Sequence, residues 1–506
     1  MNAGAASWLL SHLGGAVSLL AMMAKWLLLC SLNVLSARAD HHCTKGRLFI
    51  SDKNEAKLHV LDLDDMSTSA TFNVPIPGAR LLATDTDMAT VLCVDRGTDQ
   101  KGSVHFFNPG ISQDDHGDHV DVVKSTPAAY DFNVTGWKPT HLTYSAGYMS
   151  VFMDGVWSPN PDDEMQNSSA VFVKESSLST TPSLLEVPVE GAHHGVAYAL
   201  SDDHFVVSVT TTPRLTRVSG ASSLPDHFVV TGRSGEVLTE LGNASSPSCP
   251  AFHGAAYVGN TLVTGCAGSW FRMTFTGQAA EPATWEKVAF PSPPDATGVA
   301  FRSGTVRKNK VAGLFVADLS PLDRSPTPRY VASMSATGSV AAGNLMKTTR
   351  YPNDNDACHW QVDLASDAAG THVAVLSKDG NLSVAEVSAN AAGTPVVAPV
   401  FESAIDCGDT AMVAGHGVMY IIVAGDTPRL LTVSLAEVLA GHAEHAVSTQ
   451  ALAFTPSTQA ALALPPSVAC ASPAHDHDHG SEETSGTTSM LTSLWPLLLA
   501  ASLWSR

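Results

Sequence analysis

One pattern of short apolar runs constrains this chain more than any other feature. Between about residues 46 and 470, runs of four to eight apolar residues are separated by Gly, Asp, Asn and Pro. Runs such as KLHVLDL and FVVSVTTT are typical of buried strands, and segments with a helical period are scarce, apart from a short turn at Ala436–Leu439. The sequence therefore predicts an all-β protein.

The runs belong to a repeated unit. Each unit consists of a small-residue strand, a tight turn and a strongly apolar strand. Successive units start roughly 45–60 residues apart, which is the blade period of a β-propeller. They start at Leu81, His141, His194, His253, Thr297, His359 and Thr410.

The first strands, near Arg47, have no leading strand of their own. The segment Ala461–Val468 supplies one, so we expect a C-terminal strand to complete the first blade and close the ring. This predicts a single β-propeller over residues 40–472 with eight blades. Seven blades are the alternative if one of the units does not form a separate blade, and a two-domain β-sandwich is the competing architecture.

Both ends of the chain have the pattern of targeting segments. An apolar stretch at 8–35 is followed by the small residues Ala37 and Ala39, which predicts a signal peptide over 1–39; an uncleaved anchor helix is the alternative. At the other end, residues 473–489 form a His/Asp-rich tail and spacer before the apolar segment 490–506. That layout predicts GPI attachment with removal of 490–506, a short single-pass anchor being the alternative.

These segments predict a protein on the extracellular face of the plasma membrane, or secreted. The sequons at Asn133, Asn167, Asn243 and Asn381 are consistent with a glycoprotein on this route. The chain has 28 Lys+Arg against 48 Asp+Glu, a formal charge of −20. This balance argues against a nucleic-acid partner, because phosphate recognition needs a basic face.

Histidines occupy one position of the repeat. His141, His194, His253 and His359 each start a unit, and the first strand of a propeller blade lines the central channel. Imidazoles from several blades then converge on one axis, with Asp409 near the start of another unit. Such a set of nitrogen and oxygen ligands is typical of zinc.

Two further groups are candidate metal ligands. His116, Asp118 and His119 lie in an acidic segment at 114–121, for which a solvated loop is the alternative. In the tail, His475, His477 and His479 alternate with other residues, so an extended chain points all three the same way. A tail without a metal role is the alternative there.

Several strings resemble those of the bacterial periplasmic zinc metallochaperones of the AztD type. They are DDHGDH at 114–119, PTHLTYSAGYMSVFMDG at 139–155, HHGVAY at 193–198 and CPAFHGAAYVGNTLVTGCAG at 249–268. The resemblance implies a propeller that binds zinc and passes it to an acceptor protein. It also implies that Cys249 and Cys266 form a disulfide beside His253, and that His194 and His253 lie at the metal centre.

The remaining cysteines predict one free thiol and two candidate pairs. Cys93 lies in the apolar run ATVLCVD and is interpreted as a buried free thiol. Cys358 and Cys407 are a candidate pair between neighbouring blades. Cys43 and Cys470 are a candidate pair across the ring closure.

The sequence favours a non-enzymatic zinc-binding protein. Zinc would be captured by the His-rich tail and held in, or transferred from, the channel, with an unknown acceptor protein or transporter at the cell surface as partner. A metal-dependent hydrolase or lyase is one alternative, although the sequence has no GxSxG or HExxH motif. A glycan- or protein-binding adhesion module is the other.

Overall fold

The structure is a computed structural model, and the chain divides into two compact units, Met1–Cys470 and Ala471–Arg506. The described residues lie in the first unit, over 44–465. Gaps within that range are 85–88, 98–99, 116–119, 157–165, 212–223, 243–248, 250–251, 277–281, 291–295, 310–313, 323–329, 336–345, 348–360, 368–369, 377–380, 390–394 and 405–408.

The first sheet joins the two ends of the described chain. It comprises β1 (Arg47–Asp52), β2 (Lys57–Asp62), β3 (Thr68–Asn73) and the last strand, β34 (Pro456–Ala463), in the order β3-β2-β1-β34. β34 runs antiparallel to β1, with Ala463 opposite Arg47. The predicted completion of the first blade by a C-terminal strand is therefore confirmed, five residues earlier in the chain than the segment that suggested it.

Seven more four-stranded antiparallel sheets follow in chain order, giving eight among the described residues. The second comprises β4 (Arg80–Ala83), β5 (Val91–Asp95), β6 (Gly102–Asn108) and β9 (Ala128–Gly136), with a hairpin of β7 (Ile111–Asp115) and β8 (Val120–Lys124) inserted before β9. The third comprises β10 (Pro139–Ser145), β11 (Tyr148–Met153), β12 (Ser168–Lys174) and β13 (Leu184–Val189). The fourth comprises β14 (Ala197–Ala199), β15 (Phe205–Val209), β16 (His227–Thr231) and β17 (Val237–Leu241).

In each of the last four sheets, the strands pair in the order in which they occur along the chain. The fifth comprises β18 (His253–Val258), β19 (Thr261–Cys266), β20 (Ser269–Phe275) and β21 (Pro282–Ala289). The sixth comprises β22 (Phe301–Asn309), β23 (Leu314–Pro321), β24 (Tyr330–Ser335) and β25 (Met346–Lys347). The seventh comprises β26 (Gln361–Asp367), β27 (Gly370–Leu376), β28 (Asn381–Ala389) and β29 (Pro395–Ala404), and the eighth β30 (Asp409–Gly415), β31 (Val418–Ala424), β32 (Arg429–Ser434) and β33 (Val447–Ala451).

Helical structure is sparse in the described residues. A 3₁₀ turn spans Glu175–Ser177, and two short helices, α1 (Leu435–Leu439) and α2 (Ala443–Ala446), connect β32 to β33. The predicted helical turn at 436–439 is α1. Its N-cap is Ser434, whose hydroxyl accepts a hydrogen bond from the Glu437 backbone N–H.

In each sheet, the strand next to the innermost strand is buried on both faces. In β1, Phe49 packs with Val91 of the second sheet, whereas the alternate residues Leu48 and Ile50 pack with Ile422 of the eighth. Because both faces are covered, such strands have continuous apolar runs instead of alternating polar and apolar residues. Each neighbouring pair of sheets shares an apolar cluster in this way, and the clusters continue around a closed ring. The prediction of a single all-β propeller is confirmed.

Cys93 lies in the cluster between the first two sheets. It is fully buried and, among the described residues, is a free thiol. Burial raises the pKa of this thiol to about 12, so it stays protonated and unreactive at neutral pH. The interpretation as a buried free thiol is confirmed; Cys43, Cys358, Cys407 and Cys470 lie outside the described residues.

The innermost strands surround a central cavity of about 630 Å³. Its walls include residues of β4, β10, β14, β18, β22, β30 and β34. Among the described residues, no helix is both long and apolar enough to cross a membrane.

Candidate metal centre

Three of the four histidines predicted to line the channel come together at one end of it. His141, His194 and His253 belong to successive sheets, and one nitrogen from each ring lies within 4.8 Å of the others. The Nε2 atoms of His141 and His194 are 2.8 Å apart. The ring of His253 stacks on that of His194, with 5.2 Å between centroids. Residues more than fifty positions apart in sequence thus share one small volume.

β-bulges mark two of these histidines. The pairing of β10 with β11 shifts register at His141, and that of β18 with β19 shifts at His253. A bulge bends its strand and re-aims the side chain, which here brings both rings toward the third histidine.

His194 differs from the prediction, because it lies in the irregular segment before β14 and not on the strand itself. Gly195 follows it in a tightly packed place. A Cβ atom at Gly195 would collide with the Ser208 hydroxyl and the Phe152 ring, so glycine is needed for the segment to approach its neighbours.

Hydrogen bonds fix the tautomers of two rings. His253 Nδ1 lies 2.6 Å from the carbonyl oxygen of Gly304, which can only accept, so this nitrogen carries the proton. His194 Nδ1 lies 2.8 Å from Asp154 Oδ2 and donates to it in the same way. In the neutral form of each ring, Nε2 is therefore the unprotonated nitrogen, the atom with which a histidine commonly binds a metal.

Asp154 is a residue that sequence reasoning missed. It follows β11 directly, and its side chain is 9% exposed. The same oxygen that accepts from His194 lies 3.1 Å from a guanidinium nitrogen of Arg96. A charged residue directly after a strongly apolar strand was the available sequence signal, because the end of β11 lies beside the start of β10, where His141 is.

The electrostatic surroundings keep two of the rings neutral. Burial holds the pKa of His141 well below its usual value, and the neighbouring His194 and Arg80 lower it further. Burial also lowers the pKa of His253, against the opposing effect of its bond to Gly304, and His194 contributes in the same direction. Neutral imidazole is the form that coordinates a metal, so these two residues need not lose a proton at neutral pH.

The spacing suits a small cation with nitrogen ligands. Zn–N bonds of about 2.0–2.1 Å in a tetrahedron place ligand nitrogens roughly 3.4 Å apart. The Nε2 atoms of His141 and His194 are closer than that, at 2.8 Å, and all three ligand nitrogens lie within 4.8 Å of one another. At 2.8 Å, lone pairs on the Nε2 atoms of His141 and His194 would repel each other unless a proton or a cation lies between them. Three histidines would leave a fourth position open.

The adjacent His193 has a different role. It is 1% exposed, its Nε2 lies 3.0 Å from the Ser208 carbonyl oxygen, and its ring packs edge-on against Phe152. These contacts fix the backbone immediately before His194.

A disulfide lies beside the centre. Cys249 and Cys266 are bonded, with their Cα atoms 5.3 Å apart. Cys266 ends β19 next to Gly265, which is paired opposite His253. The bond therefore ties the segment before His253 to the strand beside it. A cross-link of this loop length stabilises a fold by about 3 kcal/mol, chiefly through the unfolded chain.

The positions of the other predicted ligand side chains are outside the described part of the chain. His116, Asp118, His119, His359, His475, His477 and His479 lie outside the described residues. Asp409 begins β30 opposite Ala424, and its side chain is outside the described set.

The hairpin that carries residues 114–121 starts far from the three histidines. Its base, at Pro109 and Ser125, accepts hydrogen bonds from Arg47, which pairs with the last residue of β34. His141, in contrast, lies near the start of an innermost strand. Because all innermost strands run in the same direction along the channel, the base of the hairpin and the histidine cluster lie at opposite ends of the propeller.

Comparison with known proteins gives one consistent result. No family model matches the chain. Over 239 residues it is 29% identical to the zinc chaperone AztD of Citrobacter koseri. The chain resembles AztD. The match covers 47% of this chain and half of the length of that relative.

Two solved structures of Citrobacter koseri AztD share the fold. One superposes with a TM-score of 0.61 at 21% identity, and an apo structure with a TM-score of 0.62 at 20% identity. Each comparison covers 83% of this chain and 98% of the AztD chain. At these identities the likeness establishes the propeller architecture.

Proposed function

We propose that this protein is a zinc metallochaperone that holds Zn²⁺ at His141, His194 and His253. The observation that carries the proposal is the convergence of three imidazoles at the end of a central cavity, two of them held by hydrogen bonds at Nδ1 that leave Nε2 for a metal. Similarity to a zinc chaperone supports the choice of metal. His359 and Asp409 are the candidates for a further ligand from across the channel.

The wider pathway is part of the same proposal. The tail histidines His475, His477 and His479 capture zinc loosely at the cell surface, and ligand exchange passes it to the channel. His116, Asp118 and His119 form a second transient site, and an acceptor protein or transporter receives the ion. The high density of imidazole in the tail supports this order, because weak flexible sites exchange metal quickly.

A carrier fits the centre better than a hydrolase does. A metal-dependent hydrolase needs a general base free to activate water beside the metal. Among the described side chains, Asp154 is the carboxylate in contact with the cluster, and both His194 and Arg96 engage it.

The test is the zinc content of the secreted protein, measured by elemental analysis after dialysis against a weak chelator. Wild type should retain about one tightly held zinc, and His194→Ala plus His253→Ala should abolish it. His442→Ala plus His445→Ala, on and beside α2, removes the same number of imidazoles and should retain it. Deleting 475–479 should slow loading and leave the retained amount unchanged. Full retention in the channel double variant would overturn the proposal.

A further inference from the structure

Arginines surround the three-histidine cluster. Arg80 and Arg307 line the same cavity as His141 and His253. Arg96 binds Asp154 beside His194, and Arg302 lies on β22 two residues before Gly304, whose carbonyl oxygen accepts from His253. A site built for a cation alone would not be expected to have four guanidinium groups around it.

Arg80 is held directly beside the cluster. It is the first residue of β4, and its Nη1 donates to the carbonyl oxygen of Thr140, 2.7 Å away and adjacent to His141. The side chain keeps surface open to the cavity although protein surrounds it. Burial lowers the pKa of Arg80, and the positive charges of Arg307 and Arg96 lower it further, against the opposing effect of Asp154.

The carboxylate that binds Arg96 is shared. The same oxygen of Asp154 also accepts a hydrogen bond from His194. Within the described residues, Arg302 Nε is buried without a hydrogen-bond partner. A divalent cation on the histidines would increase the positive charge, at an energetic cost that the protein interior screens poorly.

We propose that the channel binds the metal together with a carboxylate anion, one oxygen at the open fourth position and the other on Arg80. This inference rests on the proposed function with three protein ligands, so the anion, and neither His359 nor Asp409, holds the fourth position. The planar guanidinium matches a carboxylate, and oxygen is an accepted zinc ligand. The cavity of about 630 Å³ has room for a small anion or for one side chain of an incoming protein. The carboxylate therefore comes from a free small anion or from an aspartate or glutamate of the metal acceptor.

The test uses Co²⁺ in the full-length protein, because its visible spectrum reports the ligand set. Acetate is titrated against perchlorate at matched ionic strength. We expect acetate to shift the Co²⁺ bands and to lower the apparent Co²⁺ dissociation constant about tenfold, the size of one charge-assisted contact. In Arg80→Gln, acetate should change the apparent Co²⁺ dissociation constant less than about twofold. Arg80→Lys keeps the charge without the planar guanidinium group and should show an intermediate change.

Arg233→Gln is the matched control, since Arg233 is exposed in the turn between β16 and β17 and should respond as wild type does. A tripeptide amide with a central Asp distinguishes the two sources. A response to acetate alone indicates a small anion, and a response to both indicates a protein carboxylate.

Identical Co²⁺ spectra in acetate and perchlorate would overturn the inference while leaving the metal site intact. Absence of Co²⁺ binding that depends on His194 and His253 would instead remove the proposed function, and this inference with it.

Discussion

Imidazole orientation is the residue-scale property on which the three-histidine centre depends. A histidine ring can present either nitrogen, and the wrong tautomer would place a proton where the metal belongs. Asp154 prevents this for His194, and the Gly304 carbonyl prevents it for His253. The Gly304 carbonyl is available because β22 is bulged between Ser303 and Val306, which frees it from regular pairing.

Asp154→Asn should weaken zinc binding about 10–100-fold, the usual effect of removing a group that orients a histidine ligand. The amide keeps the shape of the side chain but loses the charge that holds Nδ1–H of His194 and the Arg96 guanidinium. Competition titration with a fluorescent zinc chelator measures the change. Asp202→Asn, a surface carboxylate paired with Lys174, is the control and should bind as wild type does. Equal affinities for the two variants would exclude a positioning role for Asp154.

At the scale of elements, β34 has the largest consequence. It is the innermost strand of the first sheet, it pairs with β1, and it contacts the innermost strands of the sheets on both sides. Without it, β1 would present an unpaired edge and the ring would be open, a state that favours aggregation.

Truncation after residue 455, which removes β34, should give an aggregated or unfolded protein. Truncation after residue 470 keeps β34 and all of the first compact unit, and should give a cooperative thermal transition like that of the full chain. Size-exclusion chromatography and circular dichroism melting compare the two. A monomeric, cooperatively folded product from the shorter truncation would show that ring closure is dispensable.

At the scale of the whole molecule, neutral histidines are distributed around the ring. The pKa values of His105, His141, His253 and His416 are all lowered, and burial is the largest cause for each. Below about pH 6.5 the unfolded chain therefore binds protons that the folded protein excludes. The lowered pKa values leave the free energy of unfolding unchanged above about pH 6.5. They reduce it as the pH falls toward the pKa values of the folded state.

The metal-free protein should accordingly lose thermal stability between pH 7 and pH 5. His416 offers a test away from the metal centre, since its Nδ1 is buried without a hydrogen-bond partner among the described residues. His416→Asn suits the left-handed backbone there, with φ of 51°, and should make the pH dependence shallower. Melting temperatures across this pH range measure the slope. The same slope in wild type and variant would contradict the assignment for His416.

The sequence predicted the repeat because each unit has the same local pattern. Strands buried on both faces need continuous apolar runs, and each run follows a small-residue strand. The starts at Leu81, His141 and His253 accordingly fall on the innermost strands β4, β10 and β18. The missing leading strand near Arg47 likewise predicted the pairing of β1 with β34. The alternation of turns and apolar runs therefore determined the all-β propeller and the face on which the histidines lie.

Only the tertiary structure decided how the centre is assembled. The bulges at His141 and His253, the irregular segment at His194 and the hydrogen bond from His194 to Asp154 depend on contacts between sheets. So do the arginines at the cavity and the position of the hairpin base at the far end of the channel. A period in the sequence shows which residues share a position in the repeat. The distances between their side chains depend on the packing of neighbouring blades, which no local pattern contains.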